Sequence, residues 1–280
     1  MPELPEVETV CRGLAPRLVG AVLASVEVRQ PSLRWPVPVG GLEQLRGQKL
    51  LGLRRRSKYL LFEFATGNLI AHLGMTGSFR FAEPGESWRK HDHLAFGWTA
   101  CNAGKKKSAA LELRYHDPRR FGAVLWQPGR AQDHPLLANL GPEPLEKDFT
   151  PAHLEQALSG RKSAIKVAIM DAAVVVGVGN IYASEACFIA GLKPATAAGK
   201  VRGDKAKKLV EAIRQVLTEA IAAGGTTIRD FQNADAMPGY FARALHMYGR
   251  EGEVCGRCGG VIKKAVMGQR STFWCAGCQK

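Results

Sequence analysis

The chain has 280 residues, enough for two domains that each bury a core, and its 46% hydrophobic and 23% charged content is that of a globular protein. Lysine and arginine number 39 against 25 acids, a formal charge of +14, which favours a polyanionic partner: nucleic acid or an anionic membrane surface. No run reaches the ~18 apolar residues of a membrane span, the acidic start does not read as a secretory signal, and seven cysteines, three single and four clustered at the end, argue for a reducing cytosol over a secreted disulfide framework.

Residues 5–18 read as a helix opening on Pro5, with Val7, Val10, Cys11, Leu14 and Leu18 on one stripe; Gly13 and Pro16 leave its far end open. The period then changes to two. Val22, Ala24, Val26 and Val28 alternate, and further strands are expected at 50–55, 58–64, 68–73, 77–82, 93–98, 110–116 and 123–127. This is an all-β region, a sandwich with one leading helix. The lysine run 105–107 reads as an exposed hairpin tip.

Residues 133–150, rich in proline and turn formers, read as a linker after a first domain of 1–132. A helical domain follows at 151–245. SAIKVAIMD and NIYASEACFIAGL look like short helices, and 204–223 is a long one whose stripe of Leu209, Val210, Ile213, Val216, Leu217, Ala220 and Ile221 ends at Gly224-Gly225. Residues 226–244 show no period and read as a loop; 246–280 form a small separate module.

That module carries the strongest local signal. Cys255-x2-Cys258, sixteen residues, then Cys275-x2-Cys278 is the spacing of a four-cysteine zinc site. The intervening residues suit a β-hairpin turning at Gly268. Four sulfurs leave no open coordination position, so one structural Zn2+ is expected, with Lys263, Lys264 and Arg270 on or beside the hairpin.

Three other stretches admit two readings each. VVVGVGN enters a helix at about Asn180, either as a backbone-amide anion site or as a plain turn with an N-cap asparagine. YHDPRRFG is a solvated loop, or a probe in which Arg119 and Phe121 share parity and enter a stack of bases, with Met75 of HLGMTG as a third exposed apolar residue. Lys58, closely following three arginines, is an ordinary basic strand edge or a lysine that handles a sugar near the N-terminus. The N-terminus itself, MPELPEVETV, places Pro2 behind Met1 with carboxylates at Glu3 and Glu6. If Met1 is removed, Pro2 presents a secondary amine with a pKa near ~8, partly neutral at pH 7 and so able to act as a nucleophile.

With these features in order, the chain resembles bacterial formamidopyrimidine-DNA glycosylases from end to end. MPELPEVET, RRSKYLL, HLGMTGS, KHDH, DPRRFG, LGPEPL, VVGVGNIYAS, GGTT, PGYF and the four-cysteine finger fall in family order. The resemblance implies an α+β multidomain fold: a β-sandwich with a leading helix, a helix–two-turn–helix domain, and a zinc finger, with double-stranded DNA across the cleft between domains. It implies excision of oxidised purines such as 8-oxoguanine, then cleavage of the abasic strand by β,δ-elimination. Pro2 would be the nucleophile, Glu3 the acid/base, Lys58 the helper in β-elimination and Arg270 the group acting in δ-elimination. His91, Arg119, Lys162, Lys166, Asn180 and Tyr182 would hold the DNA backbone. Met75, Arg119 and Phe121 would fill the gap left by the everted nucleotide, and 226–244 would cover the everted base. One departure is the stretch 101–113, longer than the family's usual hairpin.

Two alternatives remain: an endonuclease VIII-like enzyme for oxidised pyrimidines, and a non-catalytic damage-binding protein on the same scaffold. The Met75/Arg119/Phe121 set argues against the first, and the presence of Pro2, Glu3 and Lys58 against the second. A monomer suffices to clamp one duplex, and a cytoplasmic, nucleoid-associated location is expected.

Overall fold

Leu4–Leu18 forms helix α1 in the computed structural model, which describes residues 1–83, 85–99, 110–225 and 245–280. Pro5 sits in the first turn, where its missing N–H costs nothing. Pro16 lies in the last turn, and the helix runs on to Leu18, past both breakers. Its buried face is Leu4, Val7, Val10, Cys11, Leu14 and Leu18.

The strands follow as β1 (Val22–Val28), β2 (Gly52–Arg56), β3 (Tyr59–Phe64), β4 (Gly67–His72), β5 (Ser78–Ala82), β6 (Asp92–Thr99), β7 (Ala110–His116) and β8 (Ala123–Pro128), with a short helix α2 (Val39–Glu43) after β1. Every strand expected from the alternating pattern is present. Helix α2 escaped the sequence because two of its five residues are glycines, poor helix formers. The strands make two four-stranded antiparallel sheets, ordered β1-β6-β7-β5 and β2-β3-β4-β8. Leu23, Phe79, Leu94, Phe96 and Leu113 of one meet Leu60, Phe62, Leu69 and Val124 of the other in a single core that also takes in the face of α1. Phe62 and Phe79 pack across the sheets with ring centroids 5.7 Å apart.

The stretch read as a linker is divided. Residues up to Ala138, ending in the one-turn helix α3 (Pro135–Ala138), belong to the sandwich unit, and those from Asn139 belong to a second compact unit. Arg214 holds 139–150 in the second unit by donating to the carbonyls of Pro144, Glu146 and Phe149.

The second unit contains α4 (Pro151–Leu158), α5 (Ile165–Ala168), α6 (Asn180–Ile189), α7 (Asp204–Ala222) and the hairpin β9 (Ile262–Met267)–β10 (Arg270–Cys275). Thr150 caps α4 by accepting from the His153 N–H at 3.1 Å, and Pro151 fills the first helical position. The long helix α7 buries the expected stripe, with Leu209, Ile213, Leu217 and Ala220 fully enclosed. SAIKVAIMD forms only one helical turn, α5. Beyond it Asp171 accepts from the Ala173 N–H and from Arg161, which suits a turn better than a continued helix. Residues 100–109, with the lysine run expected at a hairpin tip, and 226–244, expected as a loop, lie outside the described residues.

The Phe62→Ala variant is expected to lose about 3–5 kcal/mol of stability in urea unfolding, because it empties the middle of the inter-sheet core. Leu51→Ala, at a residue 58% exposed, should stay within about 0.5 kcal/mol of the parent.

Candidate active site and nucleic-acid interface

In the sandwich unit, the site begins at the head of α1. Pro2 is buried, and the carboxylates of Glu3 and Glu6 directly behind it are 3% and 2% exposed. Glu3 is the N-cap, and its N–H donates to the Glu6 carboxylate at 2.8 Å. A helix start is the favourable end for such a charge. The backbone at Gly225 comes against Glu6: a Cβ built there would lie 3.2 Å from its Oε1.

Helix α1 also fixes Lys58. Glu8 accepts from Arg12 on its own helix at 2.8 Å and from Arg55 Nε on β2 at 2.9 Å. Arg55 in turn donates to the Ser57 carbonyl. Ser57 and Lys58 form the two-residue turn between β2 and β3, with Ser57 at φ 57°. The lysine expected to open a strand therefore sits on a hairpin tip roped to α1. Burial would raise the Glu8 carboxyl, but hydrogen bonds from Arg12 and Arg55 hold it below the usual range.

His72, at the end of β4, was not singled out in the sequence. Burial, then the positive charges of Lys58 and Arg34, pull its pKa down to about 4. Its Nδ1 accepts the Gly74 N–H at 3.0 Å, so the ring is neutral with its proton on Nε2.

Met75 and Phe121 are 38% and 44% exposed. The segment between Asp117 and Gly122 is not extended, which corrects the parity argument. Asp117-Pro118-Arg119-Arg120 is a turn closed by Arg120 N–H to Asp117 C=O, and Arg120 is left-handed at φ 55°. Arg119 and Phe121 still share a side, because the guanidinium lies 4.6 Å over the Phe121 ring. His91 is half-buried, in edge contact with His116. The fully buried carboxylate of Asp92 takes His116 Nδ1 at 2.9 Å and Arg80 at 2.7 Å.

In the second unit, the GVGN turn leads into α6, but the N-cap is Gly179, not Asn180. Asn180 is the first helical residue, and its side chain faces Lys166 and the Tyr248 hydroxyl. Two of the residues expected to hold the DNA backbone are enclosed here. Lys166 is fully buried: its ammonium donates to Asn180 Oδ1, to Thr272 Oγ1 at 3.0 Å and to the Ser271 carbonyl at 3.3 Å. It joins the glycine turn to the finger hairpin. Tyr182 is fully buried as well, on the inner face of α6. Lys162 and Arg270 are exposed.

Glu185 is a residue the sequence did not reveal. It is 1% exposed on α6 and accepts three backbone N–H groups, those of His246, Met247 and Tyr248, each at 2.8 Å. It thereby anchors the chain entering the finger. Phe188, Met247, Ile262 and Phe273 make a small core with Cys255 and Cys275. The β9–β10 loop is Gly268-Gln269, both at positive φ, a tight primed hairpin turn.

The four cysteine sulfurs lie within 4.8 Å of one another, which fits tetrahedral coordination by thiolates about 2.3 Å from one ion. Gly277 leaves room for this: a Cβ there would stand 3.1 Å from Cys258 Sγ. Burial would raise the Cys255 thiol, but N–H groups of Arg257 and Cys258 bring it down to about 7, towards the thiolate that binds metal. The four residues form a structural zinc site.

A chain of net charge +14 with buried carboxylates at the head of α1, on a sandwich followed by a helical unit and a four-cysteine hairpin, is of the class that engages a polyanion. Residues 1–124 match the formamidopyrimidine-DNA glycosylase N-terminal domain, 140–232 the H2TH domain of the same enzymes, and 252–280 the zinc finger found in FPG and IleRS. The formamidopyrimidine-DNA glycosylases of Methylococcus capsulatus and Thioalkalivibrio sulfidiphilus are 51% and 52% identical to it, with 100% of each chain covered. A Lactococcus lactis FPG mutant bound to Fapy-dG-containing DNA superposes with a TM-score of 0.88 at 34% identity over 100% of both chains. MutM from Thermus thermophilus gives 0.85 at 37%, covering 99% of this chain and 98% of that one. The chain belongs to the formamidopyrimidine-DNA glycosylase family; it is a DNA-binding glycosylase and abasic-site lyase of DNA repair.

Removing zinc by chelation, or replacing Cys258 with serine, should unfold residues 250–280, since such a site supplies on the order of 10 kcal/mol of folding free energy. Trp274 fluorescence followed against zinc content checks this. The depressed His72 pKa predicts a ring resonance that titrates near 4 by NMR, and Lys58→Met should move it upward by removing a neighbouring positive charge. The native state then binds fewer protons at His72 than the unfolded chain. This contribution to stability is complete above pH ~6.5 and is lost as pH falls towards 4.

Proposed function

We propose that the enzyme excises oxidised purines, 8-oxoguanine and formamidopyrimidines among them, from double-stranded DNA through a covalent intermediate on Pro2. The observation that carries this reading is the head of α1, where two enclosed carboxylates stand directly behind Pro2 and Glu8–Arg55 ties the Lys58 turn to the same helix. Removal of Met1 converts the Pro2 nitrogen from an amide into a secondary amine. With a pKa near ~8, part of that amine is neutral at pH 7.

The amine attacks the sugar C1′, and the C1′–N bond to the base breaks with a proton supplied to the leaving base. Glu3 handles protons at the opening sugar. The resulting iminium acidifies the C2′ proton, whose loss expels the 3′ phosphate; Lys58 assists this β-elimination, and Arg270 the δ-elimination that follows. His91, Arg119, Lys162 and Asn180 hold the backbone, while Met75, Arg119 and Phe121 replace the everted nucleotide. Exposure of Met75 and Phe121 supports that last assignment. The enzyme acts as a monomer, and its basic surface keeps it on DNA in the cytoplasm.

Borohydride trapping on a duplex with one 8-oxoguanine opposite cytosine tests the reading. A covalent adduct on a peptide beginning at Pro2 is expected. An adduct formed only with an oxidised pyrimidine would overturn the substrate class, and tight binding without any adduct from a chain shown to begin at Pro2 would overturn the nucleophile. Glu3→Gln should slow base excision by about 10²–10⁴-fold, the usual weight of a positioned acid/base group.

A further inference from the structure

The Met75 turn and the Arg119/Phe121 tip are far apart in sequence, yet they share one buried carboxylate. Asp117 is fully enclosed. Its Oδ1 accepts from Thr76 Oγ1 at 2.7 Å, and its Oδ2 accepts from the Gly122 N–H at 2.8 Å and from the Tyr115 hydroxyl at 3.4 Å. The same Thr76 hydroxyl accepts the Arg119 N–H at 3.3 Å. Asp117 also binds through its backbone: its N–H donates to the His91 carbonyl at 3.0 Å, and its carbonyl takes His93 Nε2 at 2.8 Å.

The two loops touch backbone to backbone. Gly74 is left-handed at φ 61°, and a Cβ there would lie 2.4 Å from Gly122 N and Phe121 C. On the 73–77 turn the Gly77 N–H closes onto Leu73 C=O at 2.7 Å. Met75, Arg119 and Phe121 therefore project from a single hydrogen-bonded knot, although two separate loops supply them.

We propose that the Thr76–Asp117 hydrogen bond is a specificity-determining element of the known reaction, which positions Met75, Arg119 and Phe121 as one rigid wedge. It rests on the reading that these three side chains enter the base stack. A wedge held in place beforehand loses little conformational freedom on entering DNA, so its contacts go into discriminating a damaged site from intact duplex. Thr76 and Asp117 act through the wedge and touch no reacting atom.

The test measures the ratio of affinities for a duplex with a tetrahydrofuran abasic analogue and for the undamaged duplex. The fluorescence of a 2-aminopurine beside the analogue reports unstacking. Thr76→Val keeps the side-chain volume and removes both hydroxyl bonds; the affinity ratio and the fluorescence gain should fall by roughly tenfold, the scale for losing a hydrogen bond to a buried charge. Thr76→Ser should restore both. Phe121→Ala is the reference. If it loses discrimination while Thr76→Val behaves as the parent, the positioning role is wrong and the wedge reading stands. Equal loss in Thr76→Val and Thr76→Ser also overturns the hydroxyl's role. If Phe121→Ala discriminates as well as the parent, the wedge reading itself fails, and the inference with it.

Discussion

A carboxylate taken out of water must be given hydrogen bonds, and this protein uses that demand to fix its functional loops. Among the described residues Glu3, Glu6, Asp92, Asp117 and Glu185 are buried acids. Glu6 closes the head of α1, Asp92 gathers Arg80 and His116 beside His91, Asp117 joins two loops, and Glu185 takes three successive N–H groups at the entrance to the finger. Each stands next to a group that faces DNA or its chemistry in the proposed reading. Among the described residues only Arg114 and Lys166 are comparably buried cations. The acids withdrawn inward therefore leave the surface more positive than the formal charge of +14.

The same economy shows in how one helix serves the chemistry. Helix α1 contributes its apolar face to the sandwich core, its first turn to the charge at Glu3 and Glu6, and its middle, through Glu8, to the hairpin that carries Lys58. Pro2, Glu3 and Lys58, to which the proposed reading gives the chemistry, are thus referred to a single rigid element. In the other unit Lys166 plays the corresponding part, tying the glycine turn at Asn180 to the hairpin strand that begins with Arg270.

Periodicity made the fold legible. The stripe on α7 and the alternation of the strands are long signals, and the two Cys-x2-Cys pairs name their own chemistry. Short elements were lost: α2 contains two glycines, and α5 stops after one turn because Asp171 turns the chain. In the site, the residue types were readable from motifs, but burial was not. Lys166 and Tyr182 look like surface contacts in a string of letters, and only packing shows them inside. Glu185, and the buried partners of Asp117, were invisible for a related reason. A lone acid carries no pattern, and its partners lie up to 63 residues away, as Tyr248 does from Glu185.

The placement of thiols has a consequence for how the protein meets an oxidant. Burial pushes Cys11 and Cys187 up to about 12, so at neutral pH almost none of either is the thiolate that peroxide attacks. Of the described cysteines, Cys255 in the finger is the one drawn down, to about 7, and Cys258 beside it is exposed. Oxidative injury to the described thiols is thereby concentrated in one small module: an oxidised enzyme would lose its metal and its hold on Arg270 while the sandwich, with the Pro2 end of α1, stayed folded.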